Sequence, residues 1–269
     1  MTSFDAFLQV FATAWPVILA IDLSRYLVAA GVLAFILAVF QRTLAHRRIQ
    51  PRRATAADLR REITFSLLTV LIFSLVGFGV FAGSRYGILH VYRGDLPTPG
   101  RLLLEISTIV VLHDAYFYWT HRAMHHRWLF RRFHRLHHLS RTPSPWAAYA
   151  FAPLEAIVEA GILPFAALLL PMHELTVLIF VTHMIVRNVI GHAGIELFPH
   201  WWLRVPLLRA LTTTTHHDLH HAHGRYNYGL YFTWWDRWLG TTHPQYQQRF
   251  EALTQRRTIA RFQEGQTKP

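Results

Sequence analysis

The sequence predicts an all-α integral membrane protein, a helical bundle with about four to five apolar membrane segments and a histidine-rich helical cap on the cytosolic side. Hydrophobic residues make up 52% of the 269-residue chain, and the mean hydropathy of +0.20 favours a membrane protein over an ordinary soluble domain. Apolar runs close to the length of a membrane span alternate with arginine-rich segments. The 19 histidines are concentrated in short motifs beyond these runs.

The first apolar region consists of two runs, residues 6–21 and 26–40. The first run ends at Asp22, and the second is bounded by Arg25. The first run alone is short for a membrane span. We therefore expect the two runs to form either one bent span or a span accompanied by an interfacial helix.

Further apolar regions follow along the chain. Residues 63–83 form the clearest span, because their length matches the roughly 20 residues that a bilayer requires. Residues 102–120 form the next run and lead directly into the first histidine motif. Residues 154–170 and 174–190, on either side of Pro171, predict a hairpin that is either full or re-entrant.

The charge distribution predicts the orientation of the chain. The formal net charge is +12, and residues 42–62 alone carry seven arginines, which indicates a cytoplasmic loop. Counting spans from this loop places 121–138 and 192–269 on the cytoplasmic face. No nucleic-acid-binding motif is present, so we attribute the basic charge to anionic lipid headgroups and expect no nucleic acid partner. The absence of cysteine excludes thiolate metal sites and cysteine nucleophiles.

Three histidine motifs carry the chemical signal. Residues 121–125 form an HxxxH motif, and residues 134–138 and 217–221 each form an HxxHH motif. On a helix, residues three or four positions apart share one face, so we expect the histidines of each motif to point at one ion. An isolated histidine, His192, lies between the second and third motifs. The alternative interpretation is a set of solvated basic helices.

Nine histidines form the predicted metal site: His121, His125, His134, His137, His138, His192, His217, His220 and His221. Nine ligands exceed what one ion can use, so the sequence predicts two ions. Ligation by nitrogen alone favours iron, zinc, copper or nickel over magnesium or calcium.

Several neighbouring residues are candidates for supporting this site. Asp114, Asp218 and Asp236 are predicted to orient imidazoles through the second ring nitrogen. Asn188 lies four residues before His192 and is expected to bond a metal-bound water.

Two further residues, Asn227 and Tyr118, are candidates for supporting the metal site or contacting the substrate, and Tyr118 and its aromatic neighbours either line a lipid tunnel or pack between helices. Glu155 and Glu159 form either a solvated face or part of the site. The roles of four more histidines are left open: His113, His126, His216 and His223.

Three segments of the sequence resemble the fatty acid hydroxylase/sterol desaturase superfamily: HDAYFYWTHRAMH, HRLHHLS and HHDLHHAHGRYNYGLYFTWWDRWLGT. The resemblance covers roughly residues 105–245. It departs from the family at Ala152, where sterol-desaturase-like members commonly have histidine, and at Leu239, which is often phenylalanine. It implies that the nine histidines hold two iron ions, with zinc possible in purified protein, and that the enzyme uses O2 to hydroxylate or desaturate a sterol-like or fatty acyl lipid.

The resemblance also implies a domain organisation and a partner. Residues 1–100 would form the N-terminal membrane helices and basic loop, 101–245 the histidine-box catalytic domain, and 246–269 a polar tail. Electrons would come from an external donor that resembles cytochrome b5 or ferredoxin. Two alternatives stay open: a pterin-dependent ether-lipid monooxygenase, and a histidine-rich protein for metal transport or storage.

Overall fold

The computed structural model describes residues 3–255, and these residues form an all-α protein, as predicted. The α-helices are α1 (Ser3–Val39), α2 (Ala56–Arg85), α3 (Pro99–Met124), α4 (Phe130–Phe133), α5 (Pro153–Ala160), α6 (Ile162–Leu169), α7 (Glu174–Gly191), α8 (Thr214–His223) and α9 (Trp234–Trp238). A further helical segment covers 246–255. Two strands of two residues each, β1 (Val91–Tyr92) and β2 (Met172–His173), pair in parallel, with Val91 opposite Met172.

Four helices of the described residues, α1, α2, α3 and α7, are long and apolar enough to cross a membrane. This number agrees with the predicted four to five apolar segments. The run 154–170 is not a single long helix, because the chain forms two eight-residue helices, α5 and α6, that meet at Gly161. The predicted hairpin around Pro171 therefore contains one helix of spanning length, α7.

Helix α1 corrects the interpretation of Asp22 and Arg25 as boundaries. The two apolar runs join into one 37-residue helix that includes Pro16, which favours the predicted single span over a span with a separate interfacial helix. Both charged residues lie within this helix. The Arg25 guanidinium donates a hydrogen bond to the Asp22 carboxylate three residues earlier. Because opposite charges at this spacing meet on one helix face, they can neutralise each other without interrupting the helix.

A short 3₁₀ helix, Pro145–Tyr149, is packed against α1, α2 and α7. The carbonyl of Trp146 accepts hydrogen bonds from the Tyr26 hydroxyl at 3.0 Å and from the Ser66 hydroxyl at 2.9 Å. The Tyr149 ring also stacks on the Tyr26 ring, with centroids 5.9 Å apart. These contacts fix the chain between the second histidine motif and α5 against the membrane helices.

Candidate metal centre

The nine predicted histidines converge at the C-terminal ends of α3 and α7, where α8 packs against α7. The Thr214 hydroxyl on α8 donates to the carbonyl of Ile190 on α7 at 3.1 Å. Two groups result, and in each group one ligand atom per residue lies within 4.8 Å of all the others. The five-histidine group consists of His121, His125, His134, His138 and His220, and the four-histidine group consists of His137, His192, His217 and His221.

The grouping corrects the expectation that each motif serves one ion. Histidines four positions apart share a group, as His217 and His221 do. The middle histidine of each HxxHH motif belongs to a different group from the other two. His137 is not in the group of His134 and His138, and His220 is not in the group of His217 and His221. On α8, a step of three residues turns about 300° and a step of four about 400°, so His220 and His221 lie some 100° apart around the helix. Both HxxHH motifs contribute to both groups.

The second motif does not lie on one helix, which is a further correction. Helix α4 ends at Phe133, His134 is its C-cap, and His137 and His138 begin a 3₁₀ helix. His134 has a φ of −120°, which is outside the helical range. The turn at this point allows neighbouring rings of the motif to face different groups.

Backbone carbonyls orient three of the rings. The Nδ1 atoms of His121, His192 and His220 lie 2.9, 2.8 and 2.7 Å from the carbonyl oxygens of Tyr228, Asn188 and Tyr226, respectively. A neutral imidazole that donates from Nδ1 keeps its lone pair on Nε2. The Nε2 atoms of these three histidines face the centres of their groups, as required for metal ligation.

A carboxylate orients a fourth ring. The Nδ1 atom of His134 lies 2.6 Å from Oε1 of Glu155, and both side chains are buried. Pro153 is the first residue of α5 and places Glu155 in its first turn. The solvated-face interpretation of Glu155 and Glu159 is therefore wrong, because Glu159 is buried as well.

The spacing of the nitrogen atoms fits metal ions. In the four-histidine group, the Nε2 atoms of His192, His217 and His221 form a triangle with sides of 3.1, 3.2 and 3.2 Å. Ligands at about 2.0–2.1 Å from an ion lie about 2.8–3.4 Å from one another in octahedral or tetrahedral geometry. Three nitrogens that face one another at this distance cannot all be satisfied by mutual hydrogen bonds, whereas a cation satisfies all three.

The five-histidine group has the same spacing. The Nε2 atoms of His125, His138 and His220 are mutually 3.1 Å apart, and those of His121 and His134 are 2.9 Å apart. The two groups adjoin, since the rings of His138 and His221, from different groups, have centroids 5.0 Å apart. The donor set and its dimensions therefore fit two neighbouring metal ions.

Burial keeps these imidazoles neutral. It lowers the pKa of His138 to about 3 and that of His192 to about 4. For His137, His217 and His221 the pKa is also well below its usual range, first because of burial and then because of the neighbouring histidines. Neutral imidazole is the form that binds metals, so the site is ready to accept cations at neutral pH.

The three predicted orienting aspartates do not bond any of the nine histidines, which corrects that prediction. Asp114 accepts hydrogen bonds from the backbone N–H groups of Tyr231 and Phe232 and from the Trp234 indole. It therefore ties the chain after α8 to α3. Asp218 accepts from the Gln50 amide at 2.7 Å, which links α8 to the basic loop.

Asp236 supports the turn that supplies one of the orienting carbonyls. Its carboxylate accepts from the backbone N–H groups of Tyr228 and Gly229, both at 2.9 Å, and faces His216 Nε2 at 3.3 Å. A Cβ atom on Gly229 would lie 2.4 Å from the Phe232 carbonyl oxygen, so this position requires glycine.

Asn227 and Tyr118 also have structural contacts. Asn227 adopts a φ of +59°, and its side chain donates to the His216 carbonyl and accepts from His243 N–H. The Tyr118 hydroxyl lies 2.9 Å from that of Thr241. A cavity of 530 Å³ lies between α1, α2 and α7, and residues 116–119 do not line it. Tyr118 is buried and its ring stacks on that of Trp235, which supports the packing alternative, and a contact with substrate stays a prediction.

Asn188 contacts His192 through its backbone carbonyl, and its proposed bond to a metal-bound water stays a prediction. The four histidines with open roles lie outside both groups. His113 is buried beside the Tyr231 hydroxyl at 2.9 Å, and His216 faces Asp236. His126 and His223 are exposed.

Comparison with known proteins finds a matching family model and related sequences. The family model described as fatty acid hydroxylase matches residues 106–241. The chain is 31% identical over 231 residues to lathosterol oxidase from Homo sapiens, which covers 78% of this chain and 72% of that protein. It is also 31% identical over 205 residues to a Delta(7)-sterol 5(6)-desaturase from Gibberella zeae, where it covers 76% of this chain but only 60% of the fungal protein. No solved structure matches the chain at a significant level.

Proposed function

The chain belongs to the fatty acid hydroxylase family, and from this membership we propose that it is a membrane-bound non-haem di-iron enzyme that uses O2 to hydroxylate or desaturate a sterol-like lipid. Because its relatives include a sterol desaturase and a lathosterol oxidase, the protein is an oxidoreductase that acts on lipids. The metal, the oxidant and the particular lipid are the parts that we propose.

The observation that carries the proposal is the pair of adjoining groups of inward-facing Nε2 atoms. Their spacing suits two ions, and imidazole nitrogen is a ligand that iron accepts. Of the nine histidines, His121 alone lies within a helix of spanning length. Transporters place their ligands near the middle of the membrane, so the position of these groups at the helix ends favours an enzyme over a metal transporter.

Two iron ions bound in these groups would supply the chemistry of O2. In hydroxylation, one oxygen atom enters a C–H bond and the other leaves as water, with two electrons and two protons taken up from outside. In desaturation, two hydrogen atoms leave adjacent carbons and both oxygen atoms become water, again with two electrons and two protons taken up.

The protein residues provide the setting for this chemistry. The carbonyls of Tyr226, Tyr228 and Asn188 and the carboxylate of Glu155 hold ring orientations, so little reorganisation is needed when ions bind. All members of the four-histidine group are buried, and this burial keeps bulk water away from a reactive centre.

The electrons must come from an external donor, such as a cytochrome b5-like or ferredoxin-like protein. Arg131 and Arg132 lie exposed on α4, directly before His134. A basic surface next to the metal centre favours an acidic redox partner, because complementary charge accelerates encounter. With the arginine-rich loop at 42–62 on the same side, we propose that the metal centre faces the cytoplasm.

The first test is the metal content of the purified full-length protein. We expect about two irons per chain after anaerobic reconstitution, and a clear loss in His217→Ala. His200→Ala is the matched control, because His200 is exposed and lies outside both groups. A wild-type protein that binds no transition metal under these conditions would refute the di-iron proposal. Turnover of a Δ7 sterol that depends on O2 and on a reductant would then establish the reaction.

A further inference from the structure

We propose that the cavity between α1, α2 and α7 binds a lipid alcohol, with its hydroxyl group on the Asp22–Arg25 ion pair. This inference rests on the proposed function, since it names the substrate group that the enzyme recognises.

The length of the cavity and the apolar residues in its walls suit an elongated, mainly apolar molecule. The cavity has a volume of 530 Å³, and its walls include Phe73, Val80, Leu163 and Phe180. Its lining on α2 extends from Val70 to Arg85, a distance of about 22 Å along the helix axis. Pockets of this size and character are typical of small-molecule sites.

The two ends of the cavity differ. Arg85, Arg93 and Glu174 line the end far from the histidines, where α2 ends and α7 begins. Tyr149 lines the near end. Its ring lies 6.1 Å from that of Phe151, which lies 5.2 Å from the ring of His137 in the four-histidine group. A ligand at the near end is thus separated from the metal centre by two aromatic side chains.

The near end also contains a charged pair within a helix of spanning length. Asp22 and Arg25 line the cavity, and their side chains are only 13% and 20% exposed. Arg25 donates one hydrogen bond to Asp22, while its Nε and Nη1 atoms are buried and have no partner among the described residues. Ionisable groups in membrane segments are costly and mark functional sites, and buried donors without a partner are rare.

A second polar group lines the same cavity. Glu159 is 6% exposed and contributes to the lining, and no described residue donates a hydrogen bond to its carboxyl group. It lies one turn of α5 after Glu155, which contacts His134. Arg25 and Glu159 together offer hydrogen-bond donors and an acceptor inside the cavity.

A hydroxyl group matches these features better than other lipid polar groups do. Its oxygen can accept from Arg25 and its hydrogen can be donated to a carboxylate, so one neutral group satisfies both. An anionic headgroup would meet the carboxyl groups of Asp22 and Glu159, and a pure hydrocarbon would leave the Arg25 donors unpaired. A ligand bound in this way has its hydroxyl group at the end of the cavity nearer the histidines.

The test compares three ligands on the wild-type full-length protein in nanodiscs: a Δ7 3β-hydroxysterol, its 3-deoxy analogue and 1-hexadecanol. We expect the 3-deoxy analogue to bind about tenfold or more weakly than the hydroxysterol, since a hydrogen bond to a charged group is lost. Equal affinity for the hydroxysterol and its deoxy analogue would overturn the proposal. Tighter binding of hexadecanol than of the hydroxysterol would overturn the assignment to a sterol-like alcohol.

Two variants locate the contact. We expect Arg25→Gln to weaken hydroxysterol binding about tenfold and to leave binding of the deoxy analogue unchanged. The matched control Arg85→Gln, at the far end of the same cavity, should bind both ligands as the wild type does. If Arg85→Gln is the variant that loses the preference for hydroxyl, the ligand lies in the reverse orientation and the proposal fails.

The binding readout separates this inference from the proposed function. Binding does not require metal or turnover, so we expect His217→Ala to retain the preference for the hydroxysterol. If the protein binds iron but shows no preference for the hydroxysterol, this inference fails while the proposed function is unaffected. The wild-type comparison of ligands is decisive even if Arg25→Gln does not fold.

Discussion

Glu155 Oε1 lies 2.6 Å from His134 Nδ1. Among the described residues, this is the contact between a carboxylate and one of the nine histidines. Both side chains are buried, so the contact cannot be replaced by bulk water. The carboxylate fixes the ring so that Nε2 faces the five-histidine group.

The first prediction concerns this contact. We expect Glu155→Ala to weaken metal binding by about 10–100-fold, since loss of an orienting partner has that typical effect. Glu155→Gln retains an acceptor oxygen and should weaken binding less. Competition with a chromophoric chelator measures both variants. Equal losses in the two variants would indicate that charge, and not the acceptor contact, is the important property.

The second prediction concerns the division of the histidines into groups. We expect His220→Ala to impair the five-histidine ion and His137→Ala to impair the four-histidine ion, with about one ion retained in each case. Metal analysis gives the stoichiometry, and anaerobic iron spectroscopy identifies the ion that remains. His126→Ala is the control, because His126 is exposed and lies next to His125. Identical spectra of the two single-ion variants would contradict the grouping.

The third prediction concerns Gly229. In Gly229→Ala the new Cβ atom would lie 2.4 Å from the Phe232 carbonyl oxygen and 3.0 Å from Asp236, so we expect a free energy of unfolding lower by about 2 kcal/mol or more. Gly79→Ala is a suitable comparison, because nothing lies within 4 Å of its new methyl group. Thermal unfolding in detergent should show a lower midpoint for Gly229→Ala alone.

The fourth prediction concerns electron supply. Reversing the charges of Arg131 and Arg132 to glutamate should slow turnover with an acidic protein donor, and added salt should reduce the difference from wild type. Turnover driven by a small chemical reductant serves as the control and should be unchanged. If the variant and the wild type turn over at equal rates with the protein donor, at low salt as well as at high salt, this surface is not the docking site.

The fifth prediction concerns orientation in the membrane. The natural chain has no cysteine, so single cysteines can be labelled without background. Ala57→Cys, beside the arginine-rich loop, should react only from the cytoplasmic side, and Leu96→Cys, between α2 and α3, only from the opposite side. The reverse pattern would place the metal centre outside the cytoplasm.

The long helices could be predicted because hydropathy depends mainly on composition along one stretch of chain. Hydropathy alone does not show that Asp22 and Arg25 lie inside one helix, because it counts each charge separately, whereas the helix pairs them. Convergence of the histidines could likewise be predicted from their spacing. Their grouping could not, because it depends on α4 ending at Phe133 and on the meeting of separate segments.

The orienting partners were the least predictable part of the candidate site. Carbonyl groups occur at every residue, so no side-chain pattern marks those of Tyr226 and Tyr228. The predicted aspartates have the chemical type of an orienting partner, but Asp114 and Asp218 bond other groups. Glu155 is 21 residues from His134 in sequence, and only the packing of α5 brings them together.

The exchange of histidines between the two groups has a consequence for how the protein matures. The four-histidine group draws on the chain near His137, on the end of α7 and on α8, so no single segment can bind an ion with a complete ligand set. Ions that bind only the assembled fold stabilise it by mass action. Metal binding and assembly of the histidine-rich cap are therefore thermodynamically linked, and a chain interrupted during synthesis before α8 would hold neither ion with a full ligand set.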